Sequence, residues 1–201
     1  MSDVFISYSR DDGDFVRSLF DEMVARDREL WIDWEDIPLT ADWWQEIRDG
    51  IETADAFLFV ITPSSMASPV CQLEVAHAAA CNKRLIPVVL QEFDPDRTRQ
   101  RLQERAADKA IQAMLGTRDI TQIADANQPY ISRHNWIFFN DDTSMPSFVD
   151  TLLSVAEMDL DHVRDHTRLL VRALEWDDSG HNPSLLLNGD AIQAAEQWLT
   201  K

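Results

Sequence analysis

A serine, a cysteine and a glutamate recur at every third position in the segment Ser68-Pro69-Val70-Cys71-Gln72-Leu73-Glu74. Ser68 is a favourable N-cap and Pro69 suits the first helical position, so the segment predicts a helix that begins here. Residues three apart share one helix face, which places Ser68, Cys71 and Glu74 together. The apolar run Ala56 to Ile61 before them is typical of a strand buried on both faces. Because ligands bind beyond the carboxyl ends of such strands, Glu74 is the candidate catalytic residue.

The other reactive side chains have simpler interpretations. Cys71 is predicted to be a packing residue that can line a pocket, because no histidine is placed as its base and His77 lies six residues on. His162 and His166 lie one turn apart but lack a third ligand nearby, so no metal site is predicted. For Arg10, a ligand contact and an ion pair with the following aspartates remain equally open.

Composition excludes several classes of function. The chain has 201 residues and a formal charge of −18, which repels nucleic-acid backbones. Its five glycines build no phosphate-cradling loop, so nucleotide hydrolysis of that type is not supported. We find neither an apolar run of the ~20 residues that span a bilayer nor a signal peptide, which predicts a cytoplasmic protein. Cys71 and Cys81 are predicted to be free thiols.

Strand and helix patterns alternate along the chain, which predicts an α/β fold with a doubly wound parallel sheet of five strands. The predicted strands are Val4 to Ser7, Leu30 to Ile32, Ala56 to Ile61, Leu85 to Leu90 and Trp136 to Phe139. Asp42 with Gln45 resembles a capping box at the start of the second helix.

We expect a first domain over residues 1–157, with an insertion at about 91–135, and a small C-terminal helical extension or linker over 158–201. The insertion has a weak apolar side near Ile111 but no clear period over 117–133, and it suggests no role. In the extension, two amphipathic helices are predicted, the second capped by Asp190.

Three loops should meet at the carboxyl edge of the sheet. They are Tyr8 to Asp12, Asp33 to Ala41 and Thr62 to Ser68. Arg10 and Glu74 are therefore expected to face one crevice.

Three boxes in order resemble the TIR (Toll/interleukin-1 receptor) domain family. They are Val4-Phe5-Ile6-Ser7-Tyr8-Ser9, the segment Asp33 to Trp44 with its Trp-x-x-x-Ile, and Ser-x-x-Cys-x-x-Glu followed by Ile86-Pro87-Val88. The resemblance implies a flavodoxin-like sheet. The tail around His166 to Ala173 looks like the segment that follows bacterial TIR domains, before a membrane helix, a STAND-type NTPase or a WD-repeat array.

Many members of that family cleave NAD+ between nicotinamide and ribose, which implies a NAD+ nucleosidase here with Glu74 as the catalytic carboxylate. NAD+ would be the substrate, and neither a cofactor nor a metal is implied. The resemblance also implies that Ser7, Tyr8 and Arg10 line the NAD+ site. We expect Trp44, Ser68 and Cys71 to line it as well. The sequence does not decide between ADP-ribose and a cyclic product.

The loop Asp33 to Ala41 resembles the family's BB loop, which closes over the substrate of a neighbouring protomer in active assemblies. This resemblance implies other TIR domains as partners, activation by self-assembly and a role in bacterial signalling or antiviral defence. The chain carries Leu39-Thr40 where many relatives have a glycine. The alternative is a non-enzymatic TIR adaptor that uses the same surfaces for protein–protein docking.

Overall fold

The computed structural model describes residues 3–32, 41–140, 142–156 and 158–200. In these residues, five strands form one sheet in the order β2-β1-β3-β4-β5, and every neighbouring pair is parallel. They are β1 (Val4–Ser7), β2 (Leu30–Trp31), β3 (Ala56–Ile61), β4 (Arg84–Val89) and β5 (Ile137–Phe138). This order is that of a flavodoxin-like doubly wound sheet, so the predicted fold class is confirmed.

Helices connect the strands and cover both faces of the sheet. They are α1 (Gly13–Val24), α2 (Ala41–Thr53), α3 (Pro63–Met66), α4 (Pro69–Ala80), α5 (Pro95–Ala106), α6 (Lys109–Leu115), α7 (Ile120–Ser132), α8 (Met145–Ala156), α9 (Leu160–Asp178) and α10 (Asp190–Leu199). No helix in the described part of the chain is long and apolar enough to cross a bilayer.

The alternation of side chains along β1 and β3 explains why both faces are covered. Val4 and Ile6 pack with Val16 and Leu19 of α1 in one core cluster. Phe5 points to the other face and packs in a second cluster with α2 and α4. Because a strand places successive side chains on opposite faces, a run of apolar residues needs a helix layer on each side.

The insertion after β4 folds as three helices that pack against the outer side of α4. Leu73 of α4 joins Leu102 and Ala106 of α5, Ile111 of α6 and Ile120 of α7 in a third core cluster. A buried amide pair strengthens this contact, since Asn127 Nδ2 of α7 donates to the carbonyl and the side-chain oxygen of Gln72 at 2.8 and 2.9 Å. α4 therefore lies between the sheet and the insertion, which explains why it is buried almost all round.

The first helix of the C-terminal extension packs on the edge of the sheet opposite the carboxyl ends of the strands. Val163 and Thr167 of α9 are buried. Thr167 Oγ1 donates to the carbonyl of Ala54 at 3.4 Å, and Arg164 forms an ion pair with Asp55 at 3.4 Å. These contacts attach the start of the extension to the residues that precede β3.

Two local predictions were wrong. The break after β3 contains the single-turn helix α3, because Thr62 and Ser65 form a reciprocal capping box. The residue capping α10 is Gly189 rather than Asp190. The side chain of Asp42, the predicted cap of α2, is not among those that the structure describes. The stretch 117–133, which shows no clear period in the sequence, holds the helix α7, whose buried face comes from contacts with α4.

Gly50 in α2 allows a tryptophan of the neighbouring strand to pack against the helix backbone. A Cβ atom at Gly50 would lie 2.7–2.9 Å from three indole atoms of Trp31. Trp31 in turn stacks on Phe5 of β1, with ring centroids 4.6 Å apart. The glycine is therefore required by close packing rather than by its backbone conformation.

We predict that Gly50→Ala destabilises the protein, although alanine favours a helix by about 1 kcal/mol over glycine. The clash with Trp31 should outweigh this gain and cost about 1–3 kcal/mol, measured by denaturant unfolding. Gly13→Ala is the matched control, because a Cβ atom at that helical position meets no atom within 4 Å. Equal stability of Gly50→Ala and wild type would contradict this packing.

Candidate functional site

A cavity of about 330 Å³ lies at the carboxyl ends of β1 and β3, where the strand order reverses. Such a switch point is where doubly wound sheets bind ligands. Five residues predicted for the site line the cavity: Tyr8, Arg10, Ser68, Cys71 and Glu74. The expectation that Arg10 and Glu74 face one crevice is therefore met.

Glu74 lies in the second turn of α4 and is only 6% exposed. The helix begins as the sequence predicts, with Ser68 as N-cap accepting a hydrogen bond from the backbone N–H of Cys71 and Pro69 as its first residue. This start fixes the register of α4, which turns Ser68, Cys71 and Glu74 toward the cavity. A buried carboxylate is costly unless polar groups compensate it.

Ser7 supplies one such group. Its hydroxyl donates to Glu74 Oε2 at 2.5 Å, and both residues are buried. Ser7 is the last residue of β1 and is paired with Phe59 of β3, so its position is set by the sheet. The hydrogen bond therefore fixes the carboxylate relative to the central strands.

Cys71 is held as a thiol. Its Sγ donates to the carbonyl of Tyr8 at 3.2 Å. Burial, and next the charge of Glu74, raise the pKa of the Cys71 thiol far above its usual value. Since the thiolate is the nucleophilic form, the geometry supports a packing role for Cys71 and opposes a nucleophilic one.

The loop after β1 brings charged groups to the mouth of the cavity. Arg10 begins a short 3-10 turn over Arg10–Asp12 that is capped by Ser9. Asp12 accepts a hydrogen bond from Thr62 Oγ1 at 2.7 Å. Burial, which outweighs this hydrogen bond, raises the pKa of Asp12 above its usual value. This bond ties the loop after β1 to the end of β3.

Arg105 of α5 is a lining residue that sequence reasoning missed. Its guanidinium donates to the carbonyl of Ser64 at 3.1 Å and to Asp11 Oδ2 at 3.4 Å, so it connects the insertion to both loops at the cavity mouth. Nothing in the sequence indicated that Arg105 lies at the cavity, because the pattern of the insertion does not show which of its faces packs against the rest of the domain. The insertion thus contributes an arginine to the site as well as packing against α4.

An aromatic wall closes one side of the cavity. It is formed by Phe5, Trp31 and Trp43. Trp44 was predicted to line the site, but it is not among the described lining residues and packs against apolar clusters beside α4. Trp43 is buried and takes that place instead. The predicted loop Asp33 to Ala41 lies outside the described residues, apart from the helix start at Ala41.

One group of possible metal ligands occurs among the described residues, away from the cavity. Glu52, His77 and Cys81 bring their ligand atoms within 4.8 Å of one another. The Glu52 carboxylate already pairs with His77 at 2.8 Å, and Arg48 lies 3.8 Å from the same oxygen. Lys83 Nζ also contacts the backbone of Glu52. Because these cations repel a metal ion, we assign no metal to the group.

A family model described as the TIR domain matches residues 4–115 of the chain. Among solved structures, the chain is similar to the TIR domain of the Toll-related receptor TRR-2 from Hydra magnipapillata, at 13% identity and a TM-score of 0.52 over 78% of this chain and 98% of that one. It is also similar to the TIR domains of the activated Roq1 resistosome that directly recognizes the pathogen effector XopQ. That similarity has 16% identity and a TM-score of 0.56 over 77% of this chain and 99% of that one.

At these identities, the structural likeness shows the fold alone. No curated protein sequence matches the chain significantly.

We predict that iodoacetamide at pH 8 leaves Cys71 and Cys81 unmodified in the native protein. Both thiols are buried and free, and burial raises the pKa of each. Intact-mass spectrometry should show two additions after unfolding in denaturant, which is the control for reagent activity. Rapid native alkylation mapped to Cys71 would contradict a buried protonated thiol at this site.

Proposed function

Because the chain belongs to the TIR domain family, we propose that it cleaves NAD+ at the bond between nicotinamide and ribose, with Glu74 as the catalytic carboxylate. The observation that carries the proposal is a buried carboxylate, fixed by Ser7, in a cavity at the strand switch point. Groups with this burial and placement in a cleft are typical of functional sites.

The reaction requires stabilisation of positive charge on the ribose. The bond from the anomeric carbon to the pyridinium nitrogen breaks, and nicotinamide leaves as a neutral molecule with the bonding electron pair. No general acid is needed, because the leaving group is already cationic. Glu74 either stabilises the oxocarbenium-like ribose directly or forms a covalent intermediate with it. Water then attacks the anomeric carbon and loses a proton, which gives ADP-ribose.

The lining residues suggest how the substrate lies. Phe5, Trp31 and Trp43 offer aromatic surface for the flat nicotinamide ring. Arg10 and Arg105 lie at the cavity mouth, where guanidinium groups suit the diphosphate. Tyr8 and Ser68 complete the polar side of the cavity. In the proposed pose, the scissile bond lies deep in the cavity, near Glu74.

The cavity volume supports a site that is completed by self-assembly. About 330 Å³ lies near the lower end of the ~300–1,000 Å³ of small-molecule sites, and NAD+ is a long dinucleotide. The adenosine half must therefore extend beyond the described walls, toward a neighbouring copy. The net charge of −18 opposes spontaneous association, so clustering should need a tethering partner or a sensor module. This requirement fits a signalling or defence role for a cytoplasmic protein.

We predict that Glu74→Gln lowers NAD+ cleavage by at least about 100-fold, the cost of removing a group that stabilises transition-state charge. The assay follows nicotinamide release by chromatography from protein clustered on beads. Glu175→Gln is the matched control, because Glu175 is an exposed carboxylate on α9. No release by the clustered wild type would instead favour the non-enzymatic adaptor.

Two further substitutions separate the roles of the neighbours of Glu74. Ser7→Ala should reduce cleavage about 10-fold, because it removes the hydrogen bond that orients the carboxylate and leaves a buried acceptor with one donor fewer. Cys71→Ala should keep cleavage within about 3-fold of wild type, since the thiol has no nucleophilic role. Loss of activity in Cys71→Ala at unchanged stability would contradict this assignment.

A further inference from the structure

A second cavity, of about 480 Å³, lies at the edge of the sheet opposite Glu74. Its walls come from the residues that lead into β4, the end of α7, and the two helices α9 and α10. This is the place where the extension packs on the first domain. Neither the proposed reaction nor the family resemblance uses this cavity.

The charge of the lining residues contrasts with the rest of the protein. Lys83, Arg84 and Arg133 line the cavity, together with the histidines His134, His162 and His166. No carboxylate is among the described residues that line it. The whole chain has 36 acidic residues against 18 lysines and arginines, so composition alone does not account for a basic cavity.

Two of the cations are fixed in place by neutral acceptors. Lys83 Nζ donates to the carbonyls of Glu52 and Ala54 at 2.7 and 2.8 Å. Arg84 Nη1 donates to the carbonyls of Val155 and Ala156 at the end of α8. Carbonyl oxygens orient these groups without neutralising them, and the carboxylates of Asp55 and Glu52 also act on the charge of Lys83. Burial lowers the pKa of Lys83 to about 8, which reflects the cost of its ammonium there.

The three lining histidines add further hydrogen-bonding groups to the walls of the cavity. His134 Nδ1 lies 2.8 Å from the carbonyl of Tyr130, to which it donates, so its Nε2 accepts a hydrogen bond in the neutral ring and donates one only when the ring is protonated. His162 Nδ1 is buried and has no hydrogen-bond partner among the described residues. The imidazole rings of His162 and His166 both lie against the indole of Trp198, at centroid distances of 4.9 and 5.8 Å. A buried polar atom without a partner indicates a missing water or ligand.

We propose that this cavity binds the phosphate group of a small phosphate monoester, such as a nucleoside monophosphate. Arg133 would supply the guanidinium fork, and His162 would donate a hydrogen bond to a phosphate oxygen. His134 would donate from Nε2 in its protonated form, which a bound dianion favours. Fixed positive charge and several converging donors match a dianion with three terminal oxygens. The cavity volume lies within the ~300–1,000 Å³ typical of small-molecule sites.

Such a ligand would bridge three helices that come from separate parts of the chain. Arg133 follows α7, His162 and His166 belong to α9, and Trp198 belongs to α10. Trp198 Nε1 donates to the carbonyl of His162 at 2.9 Å, which links α10 to the same wall. Occupation of the cavity would therefore tie the extension to the first domain.

The five histidines of the chain allow a test on the wild-type protein. We expect inorganic phosphate and AMP, titrated separately at low ionic strength, to shift the imidazole NMR signals of His134, His162 and His166. His77 and His181 lie outside the lining and serve as internal controls. Tighter binding of AMP would identify a nucleotide, and equal binding would identify the phosphate group alone. Either result supports the proposal.

Isothermal titration calorimetry on the full chain provides the second measurement. Arg133→Glu should weaken phosphate and AMP binding at least about 10-fold, as expected for a lost charge-assisted hydrogen bond. Arg101→Glu is the matched charge reversal, on an exposed residue of α5 outside the cavity. Equal affinity of Arg133→Glu and wild type would overturn the proposal. So would an absence of wild-type binding tighter than about 10 mM, or equal shifts of all five histidines.

Discussion

The hydrogen bond from Ser7 to Glu74 is the interaction on which the candidate site depends. It joins the last residue of the central strand β1 to the second turn of α4, with both partners buried. A carboxylate is seldom buried inside a protein, because each buried charge without a compensating polar partner opposes folding. A position that costs stability and lines a cavity is more consistent with function than with packing.

The surrounding structure holds this pair from two sides. The parallel sheet fixes Ser7 through the pairing of β1 with β3, and the register of α4 is set by Ser68 at its N-cap. On the outer side, the insertion helices cover Leu73 and bind Gln72 through Asn127. Only a helix that is covered on both sides can present Glu74 to a cavity without exposing it to bulk water.

The sequence predicted those parts that follow from local chemistry. The strands, the start of α4 and the meeting of Arg10 with Glu74 were confirmed, since alternation, an N-cap and parallel topology determine them. The long-range contacts were not predictable, because they depend on which surfaces of separate helices meet. Arg105 reaches the cavity from an insertion whose pattern is weak, and Trp43 takes the place expected for Trp44. The basic cavity combines residues from four separate elements, so no single segment revealed it.

The most direct test of the central claim is a crystal structure of Glu74→Gln with NAD+ bound in a clustered assembly. If Glu74 is the catalytic carboxylate, the side chain at position 74 lies about 3–4 Å from the anomeric carbon of the nicotinamide ribose, a distance that allows attack or electrostatic stabilisation. Nicotinamide should lie against the aromatic wall of Phe5, Trp31 and Trp43. A dinucleotide whose ribose lies elsewhere, with position 74 remote from the scissile bond, would show that Glu74 is not the catalytic residue.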